Sequence, residues 1–175
     1  MKKVMGIVGS LSARSSNKTI IEHIAGLAES RFEIGVYDGI RDLPQFNPDL
    51  DNDDPPETVS EFRLAIKASD AVLISTPEYI FGVPGALKNA LDWTVSTADF
   101  RGKPVALIVA STSGEKAYES LLQTLRTIEA VIADGCSLLI PHVKAKIGAD
   151  GKIGHEQTSN QLTSLVDSFA SAIQE

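Results

Sequence analysis

Cysteine, histidine and tryptophan are scarce in this chain, with one, three and one among 175 residues, and each scarcity closes off a class of function. The single cysteine, Cys136, excludes an internal disulfide and fits a reducing compartment, so a cytoplasmic location is expected. Its setting marks it as a small apolar residue beside a strand rather than a nucleophile. His23, His142 and His155 show no zinc spacing, and none has a Ser or Cys partner at a recognisable separation. There is no G-x-S-x-G elbow, so hydrolase chemistry is disfavoured, and no metal is expected. No apolar run approaches the roughly 20 residues that a membrane-spanning helix needs. Residues 1–10 (MKKVMGIVGS) superficially look like a signal peptide, but the apolar run stops at Gly9, and a first core strand is expected instead. Basic residues form no cluster along the chain and the formal net charge is -7, which argues against nucleic-acid binding.

What is present is the composition of a soluble globular protein, 43% hydrophobic and 22% charged, long enough for one domain spanning residues 1–175. Residues 3–9 (KVMGIVG), 32–37 (FEIGVY), 71–75 (AVLIS), 105–111 (VALIVAS) and 137–140 (SLLI) read as strands. Five apolar stripes at helical spacing alternate with them. The first comprises Ile20, Ile21, Ile24, Leu27 and Ala28, and the second Val59, Phe62 and Ile66. The third is Leu87, Ala90, Leu91 and Thr94. The fourth runs from Tyr118 through Leu121, Leu122, Leu125 and Ile128 to Ile132, with Asp134-Gly135 closing it. The last holds Leu162, Leu165, Val166, Phe169 and Ile173, preceded by a small hairpin at Asp150-Gly151.

This alternation predicts a doubly wound α/β fold with five parallel strands and helices on both faces. A dinucleotide fingerprint is missing, because Gly9 is followed by Ser10, Leu11 and Ser12 where further glycines are required. The flavodoxin-like three-layer sandwich, of strand order 2-1-3-4-5, is therefore expected. The connection at residues 41–57 (RDLPQFNPDLDNDDPPE) reads as the least ordered part of the chain. Its acids Asp49, Asp51, Asp53 and Asp54 miss the EF-hand pattern, with Asp54 in place of Gly at the sixth position and Ser60 in place of Glu at the twelfth. A solvated acidic loop is expected there.

The candidate chemistry gathers at three strand ends. Residues 9–17 (GSLSARSSN) have the small hydroxyl side chains and following helix start that suit a phosphate, while the P-loop Gly-Lys-Ser/Thr is absent. The alternative is a helix N-cap by Ser15 or Ser16 with no ligand, and the loop alone leaves both open. Arg14 would be a counterion or merely solvated. Residues 76–93 (TPEYIFGVPGALKNALDW) leave the third strand through a loop stiffened by Pro77 and Pro84, a preformed wall for a flat ligand. Residues 111–114 (STSG) leave the fourth. A phosphate on the first loop and a planar ring between the other two is the layout expected at the switch point of such a sheet.

At these residues the sequence resembles the NADPH-dependent FMN reductase family of flavodoxin-like proteins, which includes azoreductases, chromate reductases and quinone reductases. Pro77-Glu78-Tyr79, Pro84-Gly85 and Leu87-Lys88-Asn89-Ala90-Leu91-Asp92-Trp93 are similar to the family's PEYN-x-x-x-PG-x-LKNA-[IL]-DW pattern. Gly9-Ser10-Leu11 with Ser15 and Asn17 is similar to its GSLR-x-x-S-x-N phosphate loop. Ile80 stands where the family has Asn, and Ser12 where an Arg is common. The resemblance implies that Ser10, Ser15 and Asn17 hold the FMN phosphate, with Ser12, Arg14 and Ser16 joining by position. It implies that Pro77, Glu78, Tyr79 and Ile80 run along the flavin ring, Ile80 by its backbone only. Ser111, Thr112, Ser113 and Gly114 would close the other edge. Glu78 has an alternative use, capping a neighbouring loop or pairing across a dimer interface; Trp93 and Phe100 read as core or subunit contact.

The activity implied is hydride transfer from NADPH or NADH to FMN and onward to a small acceptor (quinone, azo compound, chromate or flavin) in a ping-pong sequence. It needs no side-chain acid or base, in keeping with the lack of a catalytic constellation. The resemblance also implies a homodimer or homotetramer. The rival readings are a flavodoxin-type electron carrier, which would bind FMN without oxidising NADPH, and a flavin-binding regulator. A receiver module fails, because Ser75, Thr76 and Pro77 stand where it needs an Asp.

Overall fold

The computed structural model describes residues 1–148 and 150–174. Its strands are β1 (Lys2–Val8), β2 (Phe32–Tyr37), β3 (Ala71–Thr76), β4 (Val105–Ala110) and β5 (Ser137–Ile140). All pair in parallel, in the order β2-β1-β3-β4-β5. The helices are α1 (Ser16–Ala28), α2 (Glu57–Ala68), α3 (Gly85–Asp92), α4 (Glu115–Thr127) and α5 (Glu156–Gln174). The central strands β3 and β4 are buried at every residue, which is why they read as unbroken apolar runs instead of alternating ones.

Alternation still decides which face each side chain supports. Val105, Leu107 and Val109 of β4 join a core with Phe62 of α2, Leu87 of α3 and Leu121 of α4. Ala106, Ile108 and Ala110 join the opposite core with Ile20 and Ile24 of α1 and Leu162 and Phe169 of α5. Trp93 and Phe100 are fully buried in the first of these cores.

Register brings the loops together. Ser75 of β3 lies beside Val8 of β1 and Ile108 of β4, so the chain leaves all three strands at nearly one level. Gly9 makes the closest approach, donating from its backbone N to Ser75 O at 2.8 Å. A Cβ there would fall 2.1 Å from Thr76 Oγ1, so no larger residue fits at the start of the first loop.

Two expectations are corrected. The fourth helix ends at Thr127 and not at Ile132. Glu129 takes a φ of 61°, and Glu129 N and Ala130 N donate to Arg126 O and Leu125 O, which closes the helix as a Schellman motif without the usual glycine. Val131 then pairs with the start of β4, with Val131 N to Lys103 O at 2.9 Å and Val105 N to Val131 O at 2.8 Å.

The acidic connection is also built rather than loose. It contains a short 3-10 turn at Pro48–Leu50, and Asn89 of α3 clasps it, donating from Nδ2 to Pro44 O and accepting from Phe46 N. Trp93 Nε1 donates to the same Pro44 carbonyl at 2.8 Å. Of its acids, Asp49, Asp53 and Asp54 are exposed as expected, but Asp51 meets Arg63 Nη2 of α2 at 2.6 Å, both side chains being nearly buried.

Candidate functional site

The polar strand-end loops enclose one cavity of about 590 Å³, within the range of small-molecule sites. Its first wall is the β1–α1 loop with Ser10, Ser12, Arg14, Ser15, Ser16 and Asn17. Ser15 occupies the N-cap position of α1, yet its side chain makes no cap hydrogen bond. Its Oγ is buried with no partner. The bland reading of this loop, a serine used up as a helix cap, is therefore not how the hydroxyl is employed. The first turn of α1 carries no acidic residue, so its backbone N-H groups and positive dipole end also go unanswered by any side chain.

Asn17 is used differently. Its Nδ2 donates to Ala110 O at 3.1 Å and its Oδ1 accepts from Ser75 Oγ at 2.9 Å, tying the start of α1 to the ends of β3 and β4. Both polar atoms of this buried amide are committed to the frame.

Pro77, Glu78 and Tyr79 form the second wall. Tyr79 OH lies 3.2 Å from Ser10 Oγ, linking this wall to the first. The Glu78 carboxylate turns away into the start of α4, accepting from Ser113 Oγ at 2.9 Å, Gly114 N at 3.2 Å and Ala117 N at 2.9 Å. Burial acts to raise its pKa, but these donors, with Ala117 N foremost, outweigh it and hold the carboxyl below its ordinary value. Glu78 N also donates to Ser111 Oγ at 3.2 Å, so the second and third walls are clasped together.

The third wall is Ala110, Ser111 and Thr112. Ser113 and Gly114, expected beside them, do not line the cavity, because the Glu78 carboxylate occupies their polar groups. Ile80 does not line it either. Tyr79 and Gly82 exchange backbone hydrogen bonds at 3.0 Å around a two-residue turn, which places Ile80 and Phe81 at its tip, 99% and 77% exposed. Both sit in the left-handed region, with φ of 49° and 56°, as a type I′ turn demands and as β-branched Ile dislikes.

A fourth wall was not anticipated: His142, Val143, Lys144 and Ala145, beyond β5. His142 N donates to Thr112 O and Val143 N to Ser111 O, continuing the β4–β5 pairing into the loops. The available signal was topological, since the chain leaving β5 emerges at the same sheet edge as the other loops. No three His, Cys, Asp or Glu among the described residues gather as a metal site, and none of their helices is long and apolar enough to cross a membrane.

Hydroxyl donors from the first loop and small apolar groups (Pro77, Ala110, Val143) from the other walls line a cavity that suits a ligand with an anionic group and an apolar body. FMN has that form, and an unpartnered Ser15 Oγ beside open helix N-H groups is the donor set its phosphate needs. Comparison with known proteins agrees. The 2-hydroxy-1,4-benzoquinone reductase of a Burkholderia species is 34% identical over 99% of this chain and 97% of its own length. A quinone reductase of Pseudomonas putida is 33% identical over 94% of this chain and 91% of its own. Among solved structures, the flavoenzyme NAD(P)H:acceptor oxidoreductase FerB of Paracoccus denitrificans superposes with a TM-score of 0.85 at 34% identity, covering 99% of this chain and 98% of that one. Residues 2–145 match the family described as NADPH-dependent FMN reductase. The chain belongs to that family, as a flavodoxin-like oxidoreductase with FMN as its cofactor and NAD(P)H as its reductant.

Proposed function

We propose that this protein passes hydride equivalents from NAD(P)H through FMN to a small quinone-type acceptor, with residues 1–175 as one FMN-binding domain. The observation that carries the reading is the buried, partnerless Ser15 Oγ at an uncapped helix start facing a cavity of about 590 Å³. The names of the relatives at 33–34% identity support the acceptor class.

FMN held by these loops would supply the redox chemistry, two-electron transfer from NAD(P)H to the acceptor in a ping-pong sequence. The chain's own residues bind and orient. Ser10, Ser12, Ser15 and Ser16 offer hydroxyls to the phosphate, and Arg14 offers charge. Asn17 is a positioning residue, fixing α1 against β3 and β4 so that these donors converge. Pro77 and Tyr79 give one rigid wall for the ring, and Ser111 and Thr112 the other, held at their spacing by Glu78. No residue need move a proton at the reacting atoms. A cytoplasmic homodimer or homotetramer is the form in which we expect it to act.

The test is spectroscopic. The purified protein, or the apoprotein given micromolar FMN, is expected to show a bound-flavin spectrum that bleaches within seconds under anaerobic NADPH or NADH and recovers on adding a quinone. Failure to bind FMN would sink the reading; binding without bleaching would leave an electron carrier.

A further inference from the structure

The fourth wall is a strap between two others. At one end His142 N donates to Thr112 O at 3.0 Å and Val143 N to Ser111 O at 3.1 Å, so the strap starts against the third wall. At the other end Ile147 pairs with Ile153 and lines a smaller hollow together with Ser15, Ser16 and Thr19, so the strap finishes beside the start of α1. A 3-10 turn, Val143–Lys146, fills the span, with Ala145 N donating to His142 O at 3.0 Å. Val143 is buried in the core under α1 and α5, and Ile147 packs against the same core. Both flanks are thereby pinned, and Lys144 lies exposed between them on the cavity wall.

The charge of that wall is one-sided. Its titratable side chains are Arg14, Glu78, Tyr79, His142 and Lys144. Glu78, the sole carboxylate among them, is turned into the start of α4 and engaged by Ser113, Gly114 and Ala117. That leaves two cations, Arg14 on the first wall and Lys144 on the fourth. A phosphomonoester near neutral pH carries close to two negative charges. One arginine and neutral hydroxyls from the first wall leave part of that charge unmatched, and the strap brings a second cation toward the end of the cavity where α1 begins. The oxidised flavin ring is uncharged and gives Lys144 no ionic partner.

We propose that Lys144 is the second charge on the FMN phosphate, and that it makes the site select FMN over riboflavin, which has the same ring and no phosphate. The inference rests on the proposed placing of that phosphate at the start of α1. A lysine delivered on a pinned turn requires little ordering of the backbone on binding, so its charge counts toward affinity instead of toward arranging the loop. Lys146 sits two residues further along the same turn and lines neither of the two spaces, which makes it the internal control.

The experiment titrates the full-length protein, stripped of flavin, with FMN and with riboflavin, read by flavin fluorescence, in the natural protein, Lys144→Gln, Lys144→Arg and Lys146→Gln. Lys144→Gln is expected to weaken FMN about tenfold and riboflavin less than about twofold, with the thermal midpoint of the apoprotein unchanged because the side chain is exposed. Lys144→Arg should keep FMN affinity within about threefold, and Lys146→Gln within about twofold. FMN affinity should also fall more steeply with added NaCl in the natural protein than in Lys144→Gln. Unchanged FMN affinity in Lys144→Gln would overturn the proposal, and so would equal losses for FMN and riboflavin, which would put Lys144 against the ring. If Lys146→Gln costs as much as Lys144→Gln, the effect is the general field of the turn and the proposal falls. If FMN binds as expected and neither NADPH nor NADH bleaches it, the proposed function fails while Lys144 keeps its place.

Discussion

Two polar regions flank α3 and the sheet edge, and they are finished to different degrees. Behind α3, Arg63 donates from Nε to Trp93 O at 2.8 Å and from Nη2 to Asp51 and Ser96 Oγ, while Ser96 Oγ donates to Asp51 at 2.8 Å. Lys67 reaches the buried Asp99 at 3.3 Å. Burial acts to raise the Asp51 pKa, but the hydrogen bonds from Arg63 and Ser96 and the Arg63 charge bring it below its ordinary value. On the β1–α1 loop, by contrast, Ser15 Oγ is buried without a partner, and neither Arg14 nor Lys18 is in an ion pair among the described residues. Asp99 Oδ1 and His23 Nε2 are also buried without a hydrogen-bond partner but belong to residues off the cavity wall, so an open polar group points to a ligand only where, as at Ser15, a cavity adjoins it.

The largest effect expected is on the finished side. Arg63→Ala leaves the nearly buried Asp51 without its cation and the buried Asp99 with Lys67 alone, and the expected loss is about 3 to 5 kcal/mol of unfolding free energy in urea titration. FMN affinity of the folded fraction should not change, since Arg63 is remote from the cavity wall. A loss below about 1 kcal/mol, the scale of an exposed pair, would mean that this network is solvated in solution.

Ser15 and Asn17 sharpen the contrast within one loop. Ser15→Ala deletes an unpartnered hydroxyl, so apoprotein stability should hold within about 0.5 kcal/mol while FMN binding weakens by about 1.5 to 3 kcal/mol, roughly tenfold or more. Asn17→Ala removes two buried hydrogen bonds of the frame and should cost the apoprotein about 1 to 3 kcal/mol as well as weakening FMN. Equal losses of apoprotein stability in the two variants would erase the distinction between an open group and a structural one.

The same distinction explains what was legible in the sequence. β3 and β4 were readable because a strand buried on both faces needs apolar residues throughout. The three phosphate-loop and ring-loop segments were readable because Pro, Gly and Ser at strand ends have few other uses. Partnerships across long separations were not. Nothing at Asp51 announces Arg63, and nothing at Glu78 decides between flavin and the α4 N-terminus until the loops are folded together. The end of α4 was hidden because Glu129 adopts the conformation reserved by rule for glycine, and Val131 prefers a backbone pairing with Lys103 that no local pattern encodes. His142, Val143, Lys144 and Ala145 carry no motif, so the fourth wall follows only from topology.

A smaller effect is expected at Ile80, where the open region meets solvent. Its left-handed φ of 49° strains a β-branched residue, and Asn tolerates that conformation. Ile80→Asn should therefore stabilise the protein by about 1 kcal/mol in chemical denaturation. FMN affinity should stay the same, because the side chain points away from the cavity. A change in FMN affinity of tenfold would place the turn tip against the ligand after all.

The smallest effect concerns Glu78, which lies on the cavity wall yet belongs to the finished class. Its carboxyl is held below the ordinary value of 4.5, so the folded state favours the ionised form more than the unfolded chain does. Such a group contributes stability that is fully present above the unfolded value and is lost as pH falls through the lowered folded value. Glu78→Gln removes that dependence, because an amide of the same shape does not titrate in this range. The variant should therefore be less stable than the natural protein at pH 7, with the gap narrowing as the pH drops below about 4.5, where Glu78 in the natural protein also becomes neutral. Thermal midpoints measured from pH 7 to pH 3 read this directly. A gap that stays constant across the range would mean that the Glu78 charge contributes nothing to its hold on α4, and that hydrogen bonding by a neutral side chain is enough to clasp the two walls.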